Sequence, residues 1–384
     1  MKASVERPIY TAKIVHESGT TATTYHLKDI TTDLLVSHPE NELAEKVDIS
    51  LVNIKVGNDF LRNLISVKDK MYVYANTGSG EKEVFRGFVW ERTMSEDADS
   101  NDIRLLCYDR LIYLHKSKDT FFAKSGKLTK GLIESIASKW GFKISYKYVS
   151  ITHGKLSFHN DSVADIIISI LDEAKKQKGA GYVIYMDGDT IVIDYEGNNK
   201  TVYKLTSTDN TISTRFSESM EDMVTKVLIV KAETISTEKT DNSNRAIIEL
   251  AQSYMAQDSN LSYADAIARA KESLNSGGSG GETGRYLTVD SVSKNTDKYG
   301  TLQQILVLGK DENLSDAKTE ANQTLKDNAT PKKELEVESV DIPWVKKGDQ
   351  IYISAGSLNG YYVIKSIEHD ALKYSMNIEV SVYG

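Results

Sequence analysis

A chain of 384 residues has room for about two to four domains, and 40% hydrophobic against 27% charged residues is the balance of an ordinary globular protein. The net charge of −8 argues against phosphate binding as the main business, though a local basic patch stays open, and no stretch approaches the eighteen apolar residues of a membrane-spanning helix. A single cysteine, Cys107, excludes an internal disulfide and a thiolate metal cluster.

Residues 1–8 lack the apolar core of a signal peptide, so synthesis and first folding are expected in the cytoplasm. Short apolar runs at 10–15, 25–27, 47–52 and 71–75, separated by Gly, Asn, Asp and Thr, read as strands, with a single helical turn at 59–65. The stretch from Glu83 to Leu114 organises this region. Val84, Arg86, Phe88 and Trp90 alternate with Phe85, Gly87 and Val89 on one arm, and a second arm begins at Ile103. Between them, residues 95–102 are acidic and turn-prone, a solvated loop. Cys107, between Leu106 and Tyr108, reads as a small buried hydrophobe. The strands predict a small β-barrel or curled sheet over residues 1–115.

The period then changes. Leu132, Ile133, Ile136 and Trp140 share a helical face that opens at Thr129 as cap and ends at Gly141. Val163, Ile166, Ile167, Ile170 and Leu171 form a second such face. Strands follow each helix, at 143–149 and then at 182–186 and 190–195 around the tight-turn signal Asp187-Gly188-Asp189. Residues 116–205 are therefore expected to form an α/β excursion.

Sheet returns at 224–230 and resumes after Arg285, which predicts a second β-barrel from 206–234 and 286–384. Helical spacing over 244–274, followed by the Gly/Ser run 276–281, marks 235–285 as a helical insertion with a flexible linker. One more helix spans 314–327, with Leu314, Ala317, Ala321 and Leu325 on one face, before strands at 334–340, 350–354, 361–369 and 374–382. The expected class is mixed α+β, mainly β: two small barrels with an α/β excursion between them and a helical insertion. Twenty-one tyrosines against eight phenylalanines suit half-buried sheet and contact surface.

No motif for catalysis, cofactor or nucleotide binding is present: no HExxH, GxSxG, P-loop or dinucleotide glycine pattern. His369 lies beside Glu368 and Asp370, but alternation puts those carboxylates on a face His369 does not share, so the trio reads as a solvated hairpin end. His153 and His159 match no zinc spacing, and the aspartates at 187–198 lack the calcium-loop register. Paired carboxylates could serve glycoside hydrolysis, yet Glu218, Glu221 and Asp222 read as an exposed acidic turn. Asp109-Arg110, taken alone, is a surface ion pair at a strand end.

The order Gly87-Phe88-Val89-Trp90, acidic loop, strand and Tyr108-Asp109-Arg110-Leu111 resembles the first barrel of contractile-tail hub proteins of the PBSX-like (XkdQ-like) family, found in phage tails and R-type bacteriocins of Gram-positive bacteria. Tyr299-Gly300-Thr301, Asn313-Leu314-Ser315, Ile342-Pro343-Trp344 through Asp349, and Gly360-Tyr361-Tyr362 through His369-Asp370 resemble its C-terminal half in the same order. Residues 234–285 depart from it. The resemblance implies a structural, non-enzymatic baseplate hub without cofactors. Three chains, each with two similar barrels, would form a pseudo-sixfold ring between the tail tube protein and a trimeric spike or tail-tip protein, with baseplate wedge and tape-measure proteins as further partners. It implies assembly in the bacterial host cytoplasm and release in a virion or bacteriocin particle. The residues that carry it are Gly87, Trp90, Tyr108, Asp109, Arg110, Gly360, Tyr361 and His369. The competing reading is a tail-associated peptidoglycan hydrolase or cell-wall-binding protein.

Overall fold

The computed structural model describes residues 7–96, 101–235, 244–257, 261–275, 283–308 and 313–383. The centre of the acidic loop at 97–100 and the Gly/Ser run at 276–281 lie outside these. The chain is mixed α+β with about twice as much strand as helix. It divides into two units, residues 1–217 with 334–384, and residues 218–333.

Unit one is built on one sheet of thirteen strands: β1 (Ile9–Ser18), β2 (Thr21–His26), β3 (Thr31–His38), β4 (Lys46–Val52), β5 (Lys70–Asn76), β6 (Glu81–Glu96), β7 (Asn101–Tyr108), β8 (Tyr203–Thr206), β9 (Thr211–Ser219), β10 (Lys332–Val340), β11 (Gln350–Ala355), β12 (Leu358–Asp370) and β13 (Ser375–Val382). The path runs β9-β10-β13-β12-β3-β4-β7-β6-β5-β1-β2, with β11 paired to both β12 and β8. Two small barrels were expected; among the described residues the ladders close neither. Strands assigned to each barrel lie in one continuous sheet, because β12 keeps β13 on one edge while its other edge, past the pairing with β11, takes β3, from Ile367 opposite His38 to Asp370 opposite Leu35.

Period-two burial builds this sheet. Val47, Ile49 and Leu51 of β4, Met71, Val73 and Ala75 of β5, and Ile103, Leu105 and Cys107 of β7 turn the same way into a first core with Ile14 and Phe85. Cys107 is fully buried, and desolvation pushes its thiol pKa upward. At the other end, Leu205, Val337, Ile351, Ile353, Ile364 and Ile378 make a separate core. Trp344 packs against both.

A third core belongs to the excursion. The helix Val163–Lys178 starts at Ser162, whose hydroxyl accepts the Asp165 N–H, and stops at Gly179, left-handed at φ 73°. Seven of its residues are buried, and the five large ones, Val163, Ile166, Ile167, Ile170 and Leu171, contribute about 1.5–3 kcal/mol each. The helix Thr129–Lys139 lies beside it, presenting Leu132, Ile133 and Ile136. Thr129 is not the cap the spacing implied. It is the first helical residue, and its hydroxyl is 3.3 Å from the Ile151 carbonyl and 2.8 Å from His153 Nε2. The strand Thr190–Tyr195 runs between Lys143–Tyr146, parallel, and Tyr182–Asp187, antiparallel.

Unit two has its own sheet, with Lys226–Ile235 between Thr283–Ser293 and Gln303–Leu308. These strands, assigned from sequence to the second barrel, pair only with one another among the described residues. The helix Leu314–Asn328 covers them with Ala317, Ala321 and Leu325 against Val227 and Ile229. Helices Asn244–Gln257 and Tyr263–Asn275 pack on each other through Ala251, Ala266 and Ala270, whose small side chains permit close approach.

Candidate functional site

Most of the motif residues fall in two places in unit one, with Gly360 and Tyr361 in a third, and unanticipated polar residues join the first two. On β6, a Cβ at Gly87 would lie 2.2 Å from the Tyr108 carbonyl oxygen and 2.6 Å from the Phe85 ring, so only glycine lets β6 pass the end of β7. Three residues on, Trp90 meets Tyr108 and Tyr113 edge to face, with ring centroids 6.3 and 5.7 Å apart. Tyr113 meets Phe88 in the same way at 6.2 Å. Each such pair contributes about 0.5–1.5 kcal/mol beyond buried area.

Asp109 and Arg110 do not form the surface ion pair their adjacency suggested. The chain turns at these two residues into the helix Leu111–Lys116, which Arg110 immediately precedes, and sends their side chains to different partners. Asp109 is buried, accepting from Leu111 N–H at 2.8 Å and Glu45 N–H at 3.2 Å. Burial first, then the Glu45 charge, hold its pKa well above the usual carboxylate range despite those N–H donors. Arg110 lies over the Phe142 ring at 4.6 Å and 4.0 Å from Asp189, tying the excursion to the end of β7.

His369 is not at a solvated hairpin end. β12 continues past it to Asp370, and the stretch after β10 covers it, leaving the residue 6% exposed. Its Nδ1 is 2.6 Å from Asp341 Oδ1 and its Nε2 is 3.2 Å from the Val345 carbonyl oxygen. A carbonyl only accepts and an ionised carboxylate only accepts, so both ring nitrogens carry protons when Asp341 is charged. Burial by itself would lower the His369 pKa, but the charge and hydrogen bond of Asp341, with Glu45 nearby, raise it. The other Asp341 oxygen accepts the Tyr10 hydroxyl at 2.5 Å, and Asp341 is fully buried. The hairpin turn follows at residues 371–374, where Asp370 accepts the N–H groups of Leu372 and Lys373.

The same covering stretch makes further ties. Lys347 Nζ donates to the carbonyls of Pro39, Glu40 and Glu42 at 2.6, 2.7 and 3.0 Å, and desolvation lowers its pKa to about 8. Burial raises Asp349, which accepts the Lys346 N–H, to about 6. Gly348, at φ 85°, gives its carbonyl to Gly197 N–H of the excursion, and a Cβ there would lie 2.5 Å from Val183. Glu45 connects the two places, since it exchanges backbone and side-chain bonds with Asp109 and its pKa is raised by burial against the pull of Lys346 and His369. Tyr10, Glu45, Asp341 and Lys347 were not singled out in the sequence. The only signal was a run of polar residues around Ile342-Pro343-Trp344.

Gly360 and Tyr361 stand apart, at the start of β12. Gly360 takes φ 153°, rare for residues with side chains, and half-exposed Tyr361 meets Tyr352 of β11 edge to face at 5.1 Å. His153 is buried against Thr129 and Glu173, while Glu221 and Asp222 lie exposed in a turn. Among the described residues no three His, Cys, Asp or Glu side chains converge to hold a metal. Two interior cavities of about 10 Å³ each have room for a single water.

A mainly β chain, with sheet, excursion and inserted unit in this order, has the fold of phage tail proteins. It superimposes on the tail protein from Neisseria meningitidis MC58 with a TM-score of 0.61 at 11% identity, covering 98% of this chain and 97% of that one. For the 43 kDa tail protein of prophage MuSo2 from Shewanella oneidensis the TM-score is 0.60 at 12% identity, covering 96% and 97%. In sequence it is similar to phage-like element PBSX protein XkdQ of Bacillus subtilis, 26% identical over 306 residues and 78% of each chain. The class that the fold defines is thus that of phage tail proteins. The YQBQ-like family model matches residues 44–283 and 274–381, and the chain belongs to that family.

Proposed function

We propose that this chain is a structural hub of a contractile tail or tailocin baseplate, working by geometry and not by catalysis. The observation that carries the proposal is how the thirteen strands divide. β2-β1-β5-β6-β7-β4-β3 enclose the first core and β8-β11-β12-β13-β10-β9 enclose the core at the far end of the sheet. In each set the outermost strands are consecutive in the chain, β2 and β3 through residues 27–30, and β8 and β9 through residues 207–210. Each set therefore curls back on itself as a small open barrel, and the β3–β12 ladder fixes the two side by side.

Three such chains would present six similar units to a hexameric tube and threefold symmetry to a trimeric spike, a mismatch that duplication resolves. The excursion would hold neighbouring chains and wedge proteins. The helical pair of 244–275 would face the channel or the tape-measure protein. Assembly would take place in the host cytoplasm, and the hub would leave in the finished particle. Mass photometry with and without the tube protein, followed by projection images, tests this. Ring-shaped trimers are expected; a persistent monomer with tube protein present, or wall lysis on zymograms abolished by Glu368→Gln, refutes it.

A further inference from the structure

The excursion follows β7 and precedes β8, so the chain itself joins it to both halves of the large sheet, the half around the first core and the half around the far core. Its strands Tyr182–Asp187 and Thr190–Tyr195 run antiparallel, each about 20 Å long, and their two ends meet different halves. At the hairpin end, Asp189 lies 3.6 Å from Arg86 of β6 and 4.0 Å from Arg110. These side chains are partly exposed, so the ion pairs contribute little. The firm attachment to the first half is apolar: Ala44, Leu111 and Leu114 are buried in the excursion's own core with Ile133 and Ile191.

The opposite end is tied to the second half by directional bonds. Gly197 N–H donates to the Gly348 carbonyl at 2.7 Å. Lys365 Nζ of β12 lies 2.7 Å from Glu196 Oε1, and each of these side chains is less than a quarter exposed, which shields the pair from screening. Asn199 spends both ends of its amide on one residue of β11, accepting the Gln350 N–H at 2.6 Å and donating to the Gln350 carbonyl at 2.9 Å, as a neighbouring strand would. The fit is close, since a Cβ on Gly197 would lie 2.4 Å from the Tyr383 ring. None of these residues belongs to the β3–β12 ladder or to the Asp341 cluster.

We infer that the excursion is a strut across the joint: anchored in the first half by its core, it holds the second half through Glu196, Gly197 and Asn199 and so keeps the two halves from swinging about the β3–β12 ladder. That ladder is four residue pairs long, and a joint held along one short line rotates more easily than one attached at two separate places. The inference concerns a single chain and goes beyond the hub reading, standing whether or not the chain assembles.

Hydrogen exchange read by mass spectrometry on the full chain tests it, in wild type, Asn199→Ala, Glu196→Lys and Glu196→Lys/Lys365→Glu. Amides of Thr31–His38 and of residues 365–370 report the joint, while the helix Val163–Lys178 reports whether the excursion is folded. Asn199→Ala and Glu196→Lys should each speed exchange at the ladder about tenfold and leave the helix unchanged. The charge-swapped pair should recover much of the protection, which general misfolding would not. Ladder exchange at the wild-type rate in both single variants overturns the inference, as does a swapped pair no better protected than Glu196→Lys. Acceleration spread evenly over helix and ladder overturns it too, because the ties would then serve the stability of the excursion alone.

Discussion

The Tyr10–Asp341–His369 cluster makes the sharpest stability prediction, because Asp341 is fully buried with one partner on each oxygen. Tyr10→Phe removes one hydrogen bond to a charged acceptor, expected to cost about 1.5–3 kcal/mol. Asp341→Asn leaves the buried His369 ring without its counter-charge, and breaking a buried pair from one side costs about 3–5 kcal/mol. Asp341→Asn replaces the charged acceptor of the Tyr10 bond with a neutral amide, so both changes act on the same bond and the double variant should cost less than the sum, by up to about 1.5–3 kcal/mol. All three tryptophans, Trp90, Trp140 and Trp344, lie in unit one, so urea denaturation followed by tryptophan fluorescence reads that unit alone. The sign with pH is also fixed. A raised His369 pKa means the pair's stabilisation is complete below the ordinary histidine value and is lost as pH rises through the folded one. Asp341→Asn should abolish that loss. Additive single-variant costs within about 0.5 kcal/mol, or an unchanged pH profile, would refute the account of a coupled cluster.

Gly87→Ala forces the β6 backbone away from the Tyr108 carbonyl and should destabilise unit one by about 1–3 kcal/mol, read by the same fluorescence titration with a shift in Trp90 emission. Asp349 is raised to about 6, and Asp109 and Glu45 are also raised, so the folded chain binds more protons than the unfolded one above pH 4; His38, lowered to about 3, opposes them. Unit one should therefore lose stability from pH 4 to 6, and Asp349→Asn should flatten that slope in denaturation curves taken across the range. Cys107 should react with a thiol reagent only as fast as the first core opens, and reaction in native buffer at the rate of a free thiol would contradict its burial.

What could be read from the sequence was local. Alternation located β4, β5 and β7, and helical spacing located the faces built on Ile133 and Ile167, because burial imposes those periods on neighbouring residues. The ribbon strands at 118–123 and 156–162 and the outer strand β9 were missed, since a strand with much of its surface exposed carries little period-two signal. The fusion of the two halves was missed for a different reason. Leu35 and Asp370 pair across most of the chain, and nothing near either residue announces it. Asp341 likewise looks like any turn aspartate before Ile-Pro-Trp, because its partners lie 331 and 28 residues away.

Those long-range contacts bear directly on the hub proposal. Six similar units form an even ring only if the two on each chain are held at a fixed angle, and apolar packing alone tolerates sliding. Here the joint combines a directional ladder between β3 and β12, Trp344 packed into both cores, and a buried carboxylate that must keep Tyr10 of the first half and His369 of the second at once. Any rotation of one half against the other would strip Asp341 of a donor inside the protein, at a cost of the same size as the variants above. The polar cluster is then the part of the joint that selects one angle. Variants that weaken it should yield rings of uneven outline before they yield unfolded protein.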